Sequence, residues 1–204
     1  WVRSFDQLNF TDMSNLEEYK DSLRQAAREM FDLCRRQLET AGDAFLEFDT
    51  DLAEEVMRTE NRVNALDLKS DRDCERFIAL YTPVARDLRF ALALRKINFD
   101  LERIGDHAYG MAYFVASLDE QITEDKLERV EFRPMFEGAM SMLEDVSISF
   151  NEGDTTLARQ VFKKDKELNR INQQAVKVIS AALKEDPNAA EHYLLLFSVI
   201  KKLE

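Results

Sequence analysis

Residues 87–116 read DLRFALALRKINFDLERIGDHAYGMAYFVA, a stretch with one continuous apolar pattern. Apolar side chains recur every seven residues in two interleaved rows. The rows are Leu94, Leu101, Ala108 and Val115, and Ile97, Ile104, Met111 and Leu118. Two such rows are typical of a long helix that packs into a bundle. The stretch therefore predicts a helix over about 84–118 that buries one seam.

Two acidic residues of this helix lie outside both rows. Glu102 and Asp106 are four residues apart, so they share a helix face, which the pattern directs away from the seam. Like charges at this spacing destabilise an isolated helix by roughly 0.2–0.5 kcal/mol. A bound cation would offset that cost. A solvated charged face is the alternative, and nearby Arg95 and Arg103 favour it because they neutralise part of the acidic charge.

The composition indicates a bundle of amphipathic helices. The 204 residues are 45% hydrophobic and 33% charged, with only 5 Gly and 3 Pro. So few turn-forming residues predict long helices joined by short loops. The net charge is −12, and no cluster of Lys and Arg is long enough for a nucleic-acid site. No apolar run reaches the length of a membrane span, so we expect no insertion into a membrane.

The chain contains an internal duplication. A set of residues recurs at a separation of 105: Phe45, Asp49, Thr50, Leu52, Ala53 and Val56 return as Phe150, Asp154, Thr155, Leu157, Ala158 and Val161. Leu101-Glu102 then matches Leu203-Glu204 at a separation of 102. A repeat of about one hundred residues follows from this spacing. Because Glu204 matches Glu102, the second copy stops in mid-motif, and we expect the native protein to be longer.

Each copy predicts three helices, over about 12–48, 51–81 and 84–118, and then 124–151, 155–184 and 188–204. Asp49-Thr50 and Asp154-Thr155 are predicted N-cap residues, and Gly153 eases the turn after the fourth helix. Pro134 predicts a kink or a late start, whereas Pro83 and Pro187 fit first helical turns. The expected fold is all-α, with two tandem three-helix bundles over 12–118 and 124–204 and a truncated sixth helix.

The most specific motif combines Pro83, Asp87-Leu88-Arg89 and the run LERIGDHA at 101–108, and it resembles the PhoU family of bacterial phosphate-uptake regulators. The resemblance extends over about 16–204 and implies two similar three-helix bundles side by side. It also implies a cytoplasmic regulator without catalytic activity, peripheral at the membrane through a transporter. The implied partners are the ATPase subunit of a phosphate ABC transporter and a sensor histidine kinase. Homodimers also fit this family.

The resemblance further implies metal binding, because acid-x-x-x-acid motifs on adjacent helices of that family hold metal clusters at the protein surface. Carried over position by position, the expected ligands are Glu102, Asp106, Glu60, Asn64, Asp67, Asp165, Asn169 and Glu204. Asn offers an oxygen without charge, so Asn64 and Asn169 weaken their sites. An all-oxygen set favours Mg, Mn, Ca or oxidised Fe over Zn.

The remaining polar residues predict interaction rather than catalysis. Arg95, Phe99 and Arg103 form a candidate partner surface, with an inter-bundle contact of Phe99 as the alternative. Glycine-rich phosphate loops and the GxSxG motif are absent. A di-iron carboxylate site needs Glu three residues before a His, and neither His107 nor His192 has one.

Two other functions remain open from the sequence. In the first, the chain is a PhoU-like cytosolic domain of a sodium–phosphate cotransporter. In the second, it is a metal-binding bundle unrelated to phosphate.

Overall fold

The computed structural model describes residues 10–204, with side chains from residue 14 onward. This range contains seven helices and no strand: α1 Phe10–Glu47, α2 Thr50–Tyr81, α3 Ala85–Ser117, α4 Glu124–Arg129, α5 Phe132–Glu152, α6 Thr155–Glu185 and α7 Ala190–Leu203. A short 3-10 turn, Pro187–Ala189, precedes α7. None of the described helices combines enough length with enough hydropathy to cross a lipid bilayer. The predicted all-α class is confirmed.

The helices form two tandem three-helix bundles, as predicted. In the first bundle α1, α2 and α3 pack against one another, and in the second α5 and α6 pack together with α7. One apolar core crosses from the first bundle to the second. There the rings of Phe45 and Phe132 lie 4.8 Å apart, and those of Phe31 and Phe150 lie 5.5 Å apart. The division into separate units over 12–118 and 124–204 stays a prediction.

Matching N-caps start the middle helix of each bundle. The Asp49 side chain accepts hydrogen bonds from the backbone N–H groups of Asp51 and Leu52, at 2.9 and 3.0 Å. Asp154 accepts from Thr156 and Leu157 in the same way, at 2.7 and 3.1 Å. These bonds satisfy backbone donors that have no partner within the helix. Both predicted caps are confirmed.

The turns before these caps differ between the two copies. Gly153 ends α5 with φ +70°, and Phe48, the matching residue of the first copy, has φ +57°. Only Gly adopts this left-handed conformation without a steric cost. Phe48 offsets its cost by packing its ring against the core.

The structure confirms one expectation about the prolines and corrects another. The predicted helix over 124–151 is interrupted after Arg129, and α5 starts at Phe132, so the late start expected at Pro134 is confirmed. Pro134 lies in a first turn that needs no N–H donor there. Pro83 was expected in a first turn but lies two residues before α3. Pro187 opens the 3-10 turn before α7.

The buried seam of α3 is wider on one side than its heptads predict. The row with Leu94, Leu101, Ala108 and Val115 is at most 3% exposed, as expected. The second predicted row is only partly buried, because Ile97, Ile104 and Leu118 are half-buried. A row of smaller residues, Ala91, Asn98, Gly105 and Ala112, is fully buried instead. Short side chains let α1 and α2 approach here, which shifts the buried face toward Glu102.

We expect Asp49→Ala and Asp154→Ala each to lower the free energy of unfolding by about 0.5–2 kcal/mol, the usual cost of a lost N-cap. Urea unfolding followed by circular dichroism measures the loss. Asp49→Asn and Asp154→Asn are the controls, because Asn keeps a capping oxygen and should cost far less. Equal losses for Ala and Asn would show that the stabilisation does not come from the capping hydrogen bonds.

Candidate functional site

The structure brings the first-copy acidic residues together along the seam between α2 and α3. Glu60, Asn64 and Asp67 lie on α2, and Glu102 and Asp106 lie on α3. Asn64 and Asp106 lie close enough to Glu60 to act on the pKa of its carboxyl group. Glu102 lies close enough to Asp67 and Asp106 for their charges to act on it. We call these five residues the acidic stripe.

Glu60 is the buried end of the acidic stripe, with 8% of its surface exposed. Its Oε2 accepts a hydrogen bond of 2.9 Å from Nε2 of Gln37, a residue of α1 that is itself 2% exposed. The second oxygen of Glu60 and the Oε1 of Gln37 are both buried without a partner. A buried carboxylate with a single donor is incompletely satisfied.

Sequence reasoning missed Gln37. The residue interrupts an apolar row of α1, where Cys34 and Ala41 on either side are fully buried. A polar side chain in a buried row usually has a polar partner. That rule could have identified Gln37 as a residue with a buried hydrogen-bond partner. It could not identify Glu60 as the partner, because the two residues lie on different helices.

Three carboxyl groups of the acidic stripe, those of Glu60, Asp67 and Glu102, hold their protons more tightly than usual. Burial, then the charge of Asp106, raises the pKa of Glu60. Burial raises the pKa of Glu102, and Asp106, Asp67 and Glu60 add to that effect. Burial and Asp71 raise the pKa of Asp67, while Arg95 lowers it. Ionisation of the stripe therefore costs free energy, and a nearby cation would reduce that cost.

The predicted orientation of Glu102 was wrong. Glu102 is half-buried beside α2 instead of pointing fully outward, while Asp106 is exposed. The cause is Gly105, where a Cβ would lie 3.0 Å from both the Gln37 Oε1 and the Val63 side chain. Without a Cβ at this position, α3 packs closely against its neighbours and turns Glu102 toward the seam.

A hard cation fits the first-copy stripe only in part. Its ligands would be oxygens, and one of them, on Glu60, has no hydrogen-bond partner. Among residues 14–204, however, no three His, Cys, Asp or Glu side chains converge tightly enough to hold a metal ion as they stand. Side chains of the stripe would have to rotate toward a cation. Metal binding at Glu60, Asn64, Asp67, Glu102 and Asp106 stays a prediction.

The second-copy positions offer a different environment. The Asn169 amide donates to the Asp165 carboxylate at 3.0 Å. Both the Asn172 amide and the Lys201 ammonium donate to the Glu204 carboxylate. Donors already occupy oxygens of Asp165 and Glu204, so a cation would have to displace them. Metal binding here also stays a prediction, with a poorer fit than in the first copy.

The three residues predicted as a partner surface have different surroundings, and their role in partner binding stays a prediction. Phe99 is 57% exposed beside the acidic stripe. Arg95 makes two bonds to Asp71 of α2, at 3.0 and 3.2 Å, so its guanidinium is already paired. Arg103 lies on the other flank of α3 and lines a groove of about 460 Å³ beside α7.

Both histidines are inter-helix residues. His107 lines the same groove as Arg103, and burial, followed by the charge of Lys202, lowers its pKa. His192 is buried, with its Nδ1 2.8 Å from the Lys126 ammonium of α4. Neither is directed into the acidic stripe. The sequence interpretation of His107 as a surface or inter-helix residue agrees with this position.

Fold and site together define a class: duplicated helical-bundle proteins with an acidic stripe between two helices of one bundle. Residues 27–115 and 132–204 match the PhoU domain. The chain belongs to the PhoU family, and the resemblance noted from the sequence is confirmed.

Relatives match along most of their length. The chain is 32% identical over 189 residues to a phosphate-specific transport system accessory protein PhoU homolog of Aquifex aeolicus, covering 93% of this chain and 83% of that protein. A homolog of the same description from Pseudomonas putida is 30% identical over 191 residues, covering 94% and 73%.

Solved structures support the same fold. PhoU from Pseudomonas aeruginosa superposes with a TM-score of 0.86 at 27% identity, covering 92% of this chain and 89% of that one. The phosphate transport system regulatory protein PhoU from Streptococcus pneumoniae gives a TM-score of 0.78 at 25% identity, covering 92% and 91%.

We expect Gln37→Leu to lower the free energy of unfolding at pH 7 by about 1–3 kcal/mol, because it leaves the buried Glu60 carboxylate without its donor. The double variant Gln37→Leu/Glu60→Leu should recover most of the loss, since it removes both polar partners. Urea unfolding of the two single variants and the double variant completes the cycle. Additive losses would show that the hydrogen bond is energetically irrelevant.

We expect Glu102→Gln to stabilise the metal-free protein at pH 7 by roughly 0.2–0.5 kcal/mol, the cost of one like-charge pair. The raised pKa of Glu102 in the folded state means that its ionisation costs stability as pH rises above the unfolded value of about 4.3. The gain should therefore shrink toward zero near pH 4. Urea titrations across this pH range test it, and a gain independent of pH would contradict it.

Proposed function

We propose that this chain is a regulatory accessory protein of a phosphate-specific transport system, without catalytic activity of its own. The observation that carries the proposal is the match along nearly the whole duplicated fold to proteins of that description, in sequence and in structure. The descriptions of those relatives name a transport system that the protein accompanies.

The finer mechanism that we propose is a scaffold. One surface of the chain binds the ATPase subunit of the phosphate ABC transporter, and another binds a sensor histidine kinase. The acidic stripe forms part of a partner-binding surface, and a bound hard cation, such as Mg, Mn or Fe, would hold its side chains in one arrangement. Burial, and then neighbouring carboxylate charges, raise the pKa values of Glu60 and Glu102, and a cation bound there would favour their ionised forms.

A regulator must bind its partners differently in two states, because a ligand with equal affinity for both states shifts nothing. The acidic stripe is suited to such a difference. It combines the buried Glu60 carboxylate, which lacks full hydrogen bonding, with half-buried Glu102 and exposed Asp106 one turn apart. Cation binding and partner docking would therefore both change the free energy of the stripe. A purely structural cation would leave partner affinity unchanged, whereas a regulatory cation would change it.

We expect Glu102→Ala/Asp106→Ala to reduce recovery of the transporter ATPase or the kinase in a pull-down from the native cell, and to reduce bound metal measured by mass spectrometry. Asp51→Ala/Glu55→Ala is the matched control, because it removes two exposed acids at the same spacing on α2. Equal recovery of the partners by the wild type, the stripe variant and the control would show that the acidic stripe does not contribute to partner binding. Failure of every bait to recover either partner would overturn the regulator function itself.

A further inference from the structure

Helix α2 carries opposite charges on two flanks. The flank toward α3 holds acids: Glu60, Asp67, Asp71 and Glu75. The outward flank holds four exposed bases: Arg62, Lys69, Arg72 and Arg76. Residues 62, 69 and 76 are spaced by seven, so they lie in one line along the helix, with residue 72 beside them. We call these four residues the basic row.

The basic row has no ionic partner among residues 14–204. Of the other arginines in the described part of the same bundle, Arg24, Arg35, Arg58 and Arg95 have one and the rest have none. Arg58 pairs with Glu54 at 3.2 Å, and Arg95 pairs with Asp71. None of the ion pairs among residues 14–204 involves a member of the row. A shallow depression of about 300 Å³ is bordered by its last three members and a single carboxylate, Asp73.

The internal duplication provides a comparison within the same chain. The second-copy positions that match the basic row are Glu167, Gln174, Lys177 and Ala181 of α6. Their formal charges sum to zero, against four positive charges in the first copy. The two helices share a fold and a helical environment, so the bundle does not require these bases. If the bases are not needed for folding, the alternative is that they serve a function specific to the first copy.

We propose that the basic row is a docking surface for an acidic segment of a partner protein. The row is about 21 Å long, from the helical rise of 1.5 Å per residue, and a single helix wide. Exposed Leu68 and Leu80, at 57% and 65%, supply apolar contact beside it. The net charge of −12 repels an acidic partner from the rest of the surface. The basic row would therefore direct how such a partner approaches and binds.

An acidic polypeptide fits this surface better than an anionic membrane does. A bilayer is flat and would meet a broader area than one row of side chains. Contact of that breadth would also bring Asp71 and Glu75, on the other flank of α2, toward the anionic lipid head groups. A polypeptide segment can follow the row and its depression without meeting those acids. This surface is separate from the acidic stripe, and the proposal requires neither a metal nor the phosphate-related function.

The test measures binding of a fluorescein-labelled octaglutamate peptide to the full chain by anisotropy. The variant is Arg62→Gln/Lys69→Gln/Arg72→Gln/Arg76→Gln. The matched control, Arg159→Gln/Lys163→Gln/Lys166→Gln/Lys177→Gln, removes the same charge from exposed positions of α6. We expect the row variant to weaken binding by about tenfold or more, from four exposed charge pairs, and the control by far less. Raising the salt should also weaken wild-type binding through screening.

Several results would overturn the proposal. Equal weakening in the row variant and the control would mean that only net charge matters. Binding to phosphatidylglycerol vesicles that depends on the row, without binding of the peptide, would assign the row to a lipid surface. Self-association in sedimentation that only the row variant loses would assign it to a second copy of the chain. Thermal melts of both variants confirm that folding is intact.

Discussion

The close approach of α3 to α1 and α2 is the constraint on which the site depends. It is made possible by the row of small side chains in which Asn98 and Gly105 are buried. A Cβ on Gly105 would meet Gln37 and Val63 at 3.0 Å, so the helices could not pack as closely with a larger residue there. This packing leaves the carboxylate of Glu60 inside the seam and turns Glu102 toward it. The raised pKa values of Glu60 and Glu102 follow chiefly from that burial.

The duplication produces two copies of one architecture with different chemistry. The caps, the core and the helix order repeat, because Asp49 and Asp154 perform the same task in matching turns. The polar surfaces do not repeat. In the first copy, acids accumulate between α2 and α3 and bases line the outer flank of α2. In the second, amide and ammonium donors already satisfy Asp165 and Glu204. The first copy therefore carries the features that suit a cation or a partner.

Much of the fold could be predicted from the sequence, because it rests on local rules. Helix periodicity, cap residues and the repeat spacing are properties of short stretches, and they predicted the helices to within a few residues. The errors arose where several helices meet. Heptad counting placed Ile97 and Ile104 in the seam and Glu102 outside it. Counting assumes that large apolar residues define the buried face, whereas here small residues define one edge of it.

The sequence by itself determined the all-α class, the two-bundle duplication, the family and the set of acids on α2 and α3. Each of these follows from order and spacing along the chain. The tertiary structure alone decided that Gln37 is the donor to Glu60, that Arg95 is already paired with Asp71, and that Arg103 lines the groove beside α7. These are relations between residues on different helices. They depend on the angle and distance at which the helices pack, which no single stretch of sequence encodes.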